Sequence, residues 1–433
     1  MTTLRSGPHH RYMVAVGSSV HVPSRVAIVG AGMVGLSTAW FLQARGVHVT
    51  VLDREGVAAG ASWGNAGWLT PGLATPLPEP AVLKYGVRAV LSPSSPVYVP
   101  PTANPRLLSF LTRFARNSTA GRWKSAMEAL VPINRLALAG FDALAKAGVE
   151  AETYEAKSFL AAYRTEAERT VLLEEIEHIH AAGQGIEFEA ISGDDAREIE
   201  PSLSDAVGAA IRLHGQRFIN PGEYVQVLAD SVVARGGEII SNANVADVVD
   251  EIRGVRIVTA DGESQPYDAV VMATGAWLGD LARRFGVKTV VQAGRGYSFS
   301  VPIAHVPAGP VYFPTQRIAC TPIGARLRVA GMMEFRKPEA KLDPRRIDAI
   351  VEAARPLLRD ADLDARTFEW VGPRPCTPDG LPLIGATSSP RVFAAGGHGM
   401  WGMTLGPVTG QLLADTITTG RPPAELAPFD PLR

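Results

Sequence analysis

The chain has 433 residues, 46% of them hydrophobic and 20% charged, which is a globular composition in a chain too long for one comfortable hydrophobic core, so we expect two domains. The 42 lysines and arginines balance the 43 aspartates and glutamates, which argues against a nucleic-acid-binding protein. The two cysteines form no CxxC pattern and adjoin no histidine cluster, so we predict neither disulfides nor a metal site and favour a cytoplasmic location.

Residues 1–24 open the chain with a basic stretch whose longest apolar run, Met13–Val16, is too short for the core of a signal peptide. We predict a disordered N-terminal extension there. No stretch of the sequence reaches the apolar length that spans a bilayer.

A complete βαβ pattern follows in "VAIVGAGMVGLSTAWFLQARGVHVTVLDRE". It predicts a strand at 26–29, a glycine turn, a helix at 33–45 and a second strand at 48–52. Together with the acidic residue that ends the second strand, this pattern predicts a bound dinucleotide.

Each residue of the turn has an expected part in that binding. Gly30 permits the tight turn, Gly32 lets the backbone approach a pyrophosphate, and Gly35 lets the helix pack closely on the strand. Asp53 is placed to accept a hydrogen bond from a ribose hydroxyl. The predicted contacts include the adjacent Met33, Val34 and Arg54.

Two later segments repeat the order of strand, small-residue turn and helix. "YDAVVMATGAWLGDL" predicts a strand at 269–272, and "RVFAAGGHGMWGMTLGPVTGQLLADTI" predicts a strand at 392–395 and a helix at 404–419. Because the three units lie far apart in sequence, they indicate one discontinuous α/β domain with a doubly wound, Rossmann-like sheet.

The remaining stretches indicate a second, β-rich domain that binds the substrate, in which "KSFLAAY", "RGYSFSV" and "RLRVAGMMEF" form a sheet. The predicted limits are 25–75, 207–288 and 367–433 for the dinucleotide-binding domain, and 76–206 and 289–366 for the substrate domain.

The order of these elements resembles the D-amino-acid oxidase superfamily of FAD enzymes, and the similarity covers nearly the whole chain from residue 25. It is closest to the D-amino-acid dehydrogenase (small subunit) branch. The motifs that carry the resemblance are "GASWGNAGWLTPG" (60–72), "GRGYSF" (294–299), "WVGPRPCTPDGLPLIG" (370–385) and "GGHGMWGMT" (396–404).

The resemblance implies an FAD-binding domain and the oxidation of a small amino-acid or amine substrate. In the family a hydride passes from the substrate Cα to flavin N5, and water hydrolyses the resulting imine to a keto acid. Sarcosine oxidases attach the flavin to a cysteine whose place aligns with Gly372, so we expect non-covalent FAD.

The loop "WGNAGWLTPG" is expected to pass along the flavin, with Ser62 near the pyrophosphate and Trp63 and Trp68 as walls of the site. Small residues suit such a loop because a Cβ would collide with a planar ring. The resemblance implies cofactor contacts at Asn65, Ala66, Gly67, Trp68, Val245, Thr274, Gly275, Gly397, His398, Gly399, Gly402, Met403 and Thr404.

Three residues are candidates for the chemistry. A substrate carboxylate calls for an arginine and often a phenol, and the matching residues are Arg374 and Tyr297. The alternatives are an ion pair that holds the "TPDG" turn for Arg374 and core packing for Tyr297. His398 is either a proton-transfer base or a residue that only lines the cofactor.

One departure from the family concerns the substrate. Several relatives that oxidise amino acids carry an arginine where this chain aligns Pro322. Glyphosate oxidoreductase is similar to this chain in keeping Thr-Pro there, so N-substituted glycines and other secondary amines stand beside D-amino acids as substrates. Two other functions stay open, a flavin-dependent 2-hydroxy-acid dehydrogenase and a flavin-binding protein without catalysis.

The stretch "NPRLLSFLTRFARNS" predicts an amphipathic helix with a basic edge. It either packs on the protein body or lies on the inner face of the membrane as a weak peripheral contact. The membrane alternative implies a quinone as electron acceptor, whereas the packed alternative leaves oxygen or a soluble acceptor open.

Overall fold

A computed structural model of the chain describes residues 22–80, 92 and 94–433. The predicted N-terminal extension therefore lies outside the described residues as far as residue 21. The β-strands of the described residues are β1 (Arg25–Val29), β2 (His48–Leu52), β3 (Trp68–Leu69), β4 (Val97–Tyr98), β5 (Tyr154–Glu155), β6 (Phe159–Tyr163), β7 (Phe188–Ser192), β8 (Ala209–Leu213), β9 (Arg217–Phe218), β10 (Glu238–Ile240), β11 (Val245–Glu251), β12 (Gly254–Thr259), β13 (Ser264–Tyr267), β14 (Ala269–Met272), β15 (Gln292–Pro302), β16 (Val311–Phe313), β17 (Ile318–Ile323), β18 (Arg326–Phe335), β19 (Thr367–Cys376), β20 (Leu383–Ala386) and β21 (Val392–Gly396).

The helices follow the sequence patterns closely. The predicted helix at 33–45 ends two residues early because the chain turns at Gly46, whose φ is +79°. The helix predicted at 404–419 begins two residues earlier. The α-helices of the described residues are Met33–Gln43, Pro105–Asn117, Ala120–Lys146, Glu166–Ala181, Gly193–Ile199, Pro221–Ala234, Leu278–Ala282, Pro344–Ala354 and Gly402–Thr419.

The expected discontinuous α/β sheet is present and confirms the predicted fold class. Its order is β10-β2-β1-β14-β21-β20; the first five strands run parallel, and β20 is antiparallel to β21. Apolar residues of four helices cover one face, and the three-stranded sheet β11-β12-β13 covers the other. The carboxyl ends of β1, β2, β14 and β21 consequently meet at one edge.

The second sheet has nine strands in the order β19-β15-β18-β17-β16-β6-β8-β7, with β4 paired to β18. Two of its strands, β8 and β19, come from stretches that were predicted to belong to the dinucleotide-binding domain. Conversely, helix Ala120–Lys146 from the predicted substrate domain buries Leu130 and Phe141 in the core of the parallel sheet. The domain limits stay a prediction, while hydrogen bonding assigns β8 and β19 to the nine-stranded sheet.

The amphipathic helix Pro105–Asn117 packs on the protein body. Its residues Leu107, Phe110 and Phe114 are buried against Met333 and Phe335 of β18. The apolar face that would contact a membrane is therefore covered by protein along those residues. Separately, none of the helices formed by the described residues combines the length and hydropathy needed to cross a membrane.

Candidate active site

Two adjoining cavities lie between the parallel sheet and the nine-stranded sheet. The strand-end cavity, with a volume of about 310 Å³, is lined by Gly32, Asp53, Thr274 and other residues that follow the carboxyl ends of the parallel strands. The sheet cavity, of about 220 Å³, is lined by Trp68, residues of β18 and part of helix Glu166–Ala181. Asn65, Arg374 and Met400 line both cavities and mark their junction.

The glycine turn after β1 is shaped by close backbone contacts. Gly30 has a φ of +117°, and a Cβ there would overlap the main-chain oxygen of Ala273 at the end of β14. A Cβ on Gly35 would overlap the main-chain oxygen of Gly30, so this glycine lets the helix lie against the turn. At Gly32 the nearest atom to an added Cβ is the hydroxyl of Ser62, at 3.3 Å. The turn thus leaves open backbone at the helix N-terminus.

Asp53 holds the turn together. Its Oδ2 accepts a 2.8 Å hydrogen bond from the main-chain N–H of Ala31, and its Oδ1 accepts 2.9 Å bonds from the main-chain N–H groups of Glu55 and Gly56. Asp53 lines the strand-end cavity. Because a carboxylate has further lone pairs, Asp53 can still accept the expected hydrogen bond from a ribose hydroxyl.

Polar atoms of the strand-end cavity fit a dinucleotide. The hydroxyl of Ser62 accepts a 3.3 Å hydrogen bond from the main-chain N–H of Met33, at the first turn of the helix where a phosphate is favoured. The buried Oγ1 of Thr274 has no hydrogen-bond partner among the described residues. An unsatisfied buried hydroxyl is costly, and a bound ligand removes that cost.

The "WGNAGWLTPG" loop is fixed to the nine-stranded sheet through its carbonyl groups. Ser298 donates to the main-chain oxygen of Gly64 at 2.7 Å, Thr321 donates to that of Ala66 at 2.7 Å, and Arg328 donates to those of Trp63 and Asn65 at 3.0 and 3.3 Å. These bonds hold the loop at the junction of the cavities.

The two tryptophans of the loop differ in position. Trp68 lines the sheet cavity, donates a 2.9 Å hydrogen bond to Thr321 and packs edge-on against Phe159 and Tyr312. Trp63 is 37% exposed, packs against Gly222 and lines neither cavity. Of the two tryptophans that were expected to wall the site, Trp68 lines a cavity and Trp63 does not.

Arg374 lies at the junction of the two cavities. Its Nη1 donates a 2.8 Å hydrogen bond to the main-chain oxygen of Met332. Gly296 on the neighbouring strand makes room for the guanidinium, because a Cβ there would overlap it. No carboxylate of the described residues pairs with Arg374, and burial lowers its pKa. Asp379 of the "TPDG" turn pairs with Arg433 instead, at 3.1 Å.

Tyr297 lies in the core rather than in a cavity. Neighbouring residues of a strand point to opposite faces, so Tyr297 faces away from the side on which Gly296 meets Arg374. Its side chain is fully buried, and its hydroxyl donates a 2.6 Å hydrogen bond to Glu334. Tyr297 therefore packs in the core, as the alternative predicted, and is not part of the proposed site.

His398 lines the strand-end cavity but is buried, 3% exposed. Its Nε2 lies 3.0 Å from the hydroxyl of Thr409 in helix Gly402–Thr419. Burial lowers the pKa of His398 to about 4. The neutral ring is thus tied to the helix, which matches lining of the cavity better than proton transfer.

Most of the predicted cofactor contacts converge on the strand-end cavity. Those that line it are Gly30, Gly32, Met33, Val34, Asp53, Arg54, Ser62, Asn65, Val245, Thr274, Gly275, His398, Gly399, Gly402 and Met403. Ala66 and Trp68 line the sheet cavity. Neither cavity is lined by the remaining four residues, Gly35, Gly67, Gly397 and Thr404. Two of them shape the nearby backbone: a Cβ on Gly67 would overlap the main-chain oxygen of Ile219, and the hydroxyl of Thr404 donates a 3.0 Å hydrogen bond to the main-chain oxygen of Trp68.

Sequence patterns missed several polar residues of the sheet cavity, namely Glu79, Glu175, Tyr312 and Arg317. Glu79 follows the glycine loop, Glu175 lies mid-helix, and Tyr312 and Arg317 flank the hairpin turn between β16 and β17. A signal was available only for Arg317, which occupies the last position of a Pro-led turn where glycine or asparagine is usual.

Comparisons with known proteins agree with this geometry. The model of the DAO family, described as FAD dependent oxidoreductase, matches residues 25–416. A glycine oxidase from Geobacillus kaustophilus is 23% identical, with a TM-score of 0.71 over 95% of this chain and 99% of that one. An iminodiacetate oxidase from Chelativorans sp. is 18% identical, with a TM-score of 0.67 over 94% and 99%. An L-α-glycerophosphate oxidase from Mycoplasma pneumoniae with FAD bound is 16% identical, with a TM-score of 0.70 over 92% and 95%. These structures share the fold of this chain.

Proposed function

We infer the function of this chain from two observations: it belongs to the DAO family of FAD-dependent oxidoreductases, and an arginine without a carboxylate partner among the described residues lies between its cavities. We propose that it oxidises the C–N bond of an amino acid or an N-substituted amino acid with non-covalent FAD. The products are an imine and, after hydrolysis, a keto acid and an amine or ammonia.

Arg374 carries the proposal. A guanidinium that is partly buried without a carboxylate is unfavourable, because the loss of hydration is not offset by an ion pair. A substrate carboxylate at the junction of the cavities supplies the missing charge and two hydrogen bonds in fork geometry. The same contact places the neighbouring Cα beside the strand-end cavity.

The strand-end cavity is the proposed FAD site. Residues of the glycine turn, Asp53, Ser62 and Thr274 would hold the dinucleotide, and the N-terminus of helix Gly402–Thr419 supplies unpaired N–H groups at the same cavity. When bound, FAD supplies the two-electron oxidant. The protein orients the substrate through Arg374 and excludes water with Met400 and Trp68.

The substrate class follows from what lies in the sheet cavity. Several relatives carry an arginine where this chain has Pro322, and Pro322 does not line the sheet cavity. We therefore assign the binding of the substrate carboxylate to Arg374. Both D-amino acids, as in the D-amino-acid dehydrogenase branch, and N-substituted glycines present one carboxylate next to the oxidised carbon. The electron acceptor, oxygen or a membrane quinone, is a separate property that Arg374 does not determine.

The visible spectrum of the purified flavoprotein tests the proposal. Under anaerobic conditions we expect a D-amino acid, sarcosine or glyphosate to bleach the oxidised flavin band, and admission of air then reports whether oxygen is an acceptor. Bleaching by D-lactate alone would show a hydroxy-acid dehydrogenase. A flavin that stays oxidised with every compound would favour a binding protein without catalysis.

A further inference from the structure

We propose that Glu79 and Glu175 form an acidic end of the sheet cavity that binds a cationic group at the far end of the substrate, so that the preferred substrate is a basic amino acid or a diamino acid. This inference rests on the proposed function, because it takes the substrate carboxylate to be bound by Arg374.

The first observation is the placement of charge along the cavity. Arg374 lies where the sheet cavity meets the strand-end cavity. The sheet cavity, but not the strand-end cavity, is lined by Glu79, Glu175 and Arg317. The pKa of Arg374 responds to burial and Cys376 and to neither glutamate, whereas the two glutamates and Arg317 shift one another. The cavity therefore has a cationic end at the junction and a separate charged cluster away from it.

The second observation is the composition of that cluster. It contains two carboxyl groups and one guanidinium, so the cluster has one excess negative charge when both acids are ionised. The side-chain carboxyl groups of Glu79 and Glu175 form no hydrogen bond and no close ion pair with another described residue. Burial and the mutual repulsion of the two acids raise the pKa of Glu175 to about 8, although Arg317 opposes the shift. A cationic ligand would remove this repulsion.

The third observation is the apolar part of the cavity wall. Leu73, Leu77, Leu172, Phe335 and Met400 line the cavity as apolar walls. An aliphatic stem of several methylene groups is favourable against such walls, whereas a compact substrate leaves them exposed to water. A molecule that fits this cavity has a carboxylate at one end, an apolar stem and a cation at the other end. Lysine-like, ornithine-like and arginine-like molecules have this arrangement.

The backbone at Arg317 supports a ligand-binding function for the cluster. Arg317 ends the turn from Pro314 with a φ of +56°, a left-handed conformation that an arginine adopts at a cost in strain. Backbone strain at residues that line a cavity is typical of functional sites. The guanidinium beside Tyr312 opposes the repulsion between the two acids, and a cationic group of the substrate would favour the ionised form of both.

Binding of inert ligands to the FAD-loaded protein tests the acidic end directly. The probes are 5-aminopentanoate, pentanoate and glutarate, which have the same chain length, lack an oxidisable α-amine and end in a cation, a neutral group and an anion. Calorimetry and the fluorescence of Trp68 and Trp401, which line the cavity, report the dissociation constants. We expect 5-aminopentanoate to bind at least about tenfold more tightly than pentanoate, and glutarate more weakly than either.

Isosteric variants assign the effect to residues. Glu79→Gln and Glu175→Gln should each reduce the preference for 5-aminopentanoate over pentanoate about tenfold or more. Glu174→Gln, one residue away on the exposed side of the same helix, is the matched control and should leave the preference unchanged. Circular dichroism and FAD content verify that each variant is folded.

The possible failures are distinguishable. If Arg374→Met weakens all three probes but 5-aminopentanoate binds no better than pentanoate, the acidic end is wrong and the carboxylate site stands. Tightest binding by glutarate would show that Arg317 binds a second carboxylate, which also overturns the inference. If Arg374→Met changes the binding of none of the probes, the proposed carboxylate site fails and the inference fails with it.

Discussion

Arg374 donates a 2.8 Å hydrogen bond to the main-chain oxygen of Met332, a residue whose φ of +66° lies in the left-handed region. Met332 lies in β18 where the register with β15 shifts. Such an irregularity redirects a carbonyl group away from its neighbouring strand. One bond to a carbonyl orients the guanidinium without neutralising it, which leaves its charge available to a ligand.

Replacing this guanidinium should weaken carboxylate binding specifically. We expect Arg374→Met to raise the dissociation constant of a carboxylate ligand at least about 30-fold, since loss of a buried charge contact costs about 2 kcal/mol or more. Arg433→Met, which removes the ion pair with Asp379 in the "TPDG" turn, is the control for a structural effect. Equal loss of affinity in both variants would contradict a direct contact between Arg374 and the ligand.

Two glycine variants should separate cofactor binding from folding. Gly35→Ala places a Cβ on the main-chain oxygen of Gly30, so we expect little folded protein. Gly32→Ala meets only the Ser62 hydroxyl, at 3.3 Å, and should fold while lowering FAD affinity about tenfold, because the methyl group obstructs close approach to the backbone. Flavin fluorescence and circular dichroism provide the two measurements.

Gly121→Ala serves as a reference for these variants. No atom lies within 4 Å of an added Cβ at Gly121, so the substitution should leave FAD affinity unchanged and stabilise the helix slightly. Normal FAD affinity in Gly32→Ala would show that the cofactor does not approach this turn closely.

His398 should not titrate in the catalytic pH range. Burial lowers its pKa to about 4, so the ring is neutral above that pH. The pH profile of kcat/KM between pH 5 and 9 should therefore show no inflection from His398. We expect His398→Ala to keep the rate of flavin reduction within about tenfold, whereas loss of a general base costs about 10²- to 10⁴-fold. Thr409→Val controls for the lost hydrogen bond, which joins His398 to Thr409.

Glu175 should make the folded protein less stable as the pH rises. Its pKa is about 8 in the folded chain against 4.5 for the ordinary group, owing to burial and Glu79, with Arg317 opposing; Tyr312 and Tyr163 face the same cluster. Between these values the folded form holds the extra proton, so stability falls with increasing pH. The Glu175→Gln variant lacks this pH-dependent loss of stability. The difference between its Tm and the lower Tm of the wild type should therefore grow from pH 5 to pH 8, to roughly 3 °C or more.

The matched control is again Glu174→Gln, an exposed residue of the same helix. Its Tm should follow that of the wild type at every pH. A constant difference between Glu175→Gln and the wild type across the pH range would mean that the Glu175 carboxyl titrates normally.

The flavin should be released by acid. Neither Cys320 nor Cys376 lines the strand-end cavity, and both thiols are buried elsewhere. Gly372, the position that aligns with the attachment cysteine of sarcosine oxidases, packs against the Trp370 ring. After precipitation with acid, the yellow colour should be in the supernatant; a yellow pellet would indicate a covalent bond.

The sequence by itself determined most of the strand-end cavity. The glycine turn, the strand at 269–272 and the strand at 392–395 carry local signals, because a tight turn, a close helix and a buried strand each require particular residues within a few positions. Because the carboxyl ends of parallel strands lie at one edge of a sheet, the residues that follow these strands are expected to meet there. That is why Gly30, Asp53 and Thr274 could be placed from local patterns and line one cavity in the structure, whereas Gly399, which lines it too, was expected from the resemblance to the family.

The sheet cavity was decided by the tertiary structure. Glu79, Glu175 and Arg317 lie far apart in sequence. Their charges share one cavity because helix Glu166–Ala181 packs on β6 and β8, and β6 pairs with β16 in the same sheet. The face on which a strand residue points depends on register, so "GRGYSF" could not show that Gly296 opens space for Arg374 while Tyr297 enters the core. Local periodicity specifies backbone shape, whereas the pairing of charges across a cavity depends on long-range contacts that no single segment encodes.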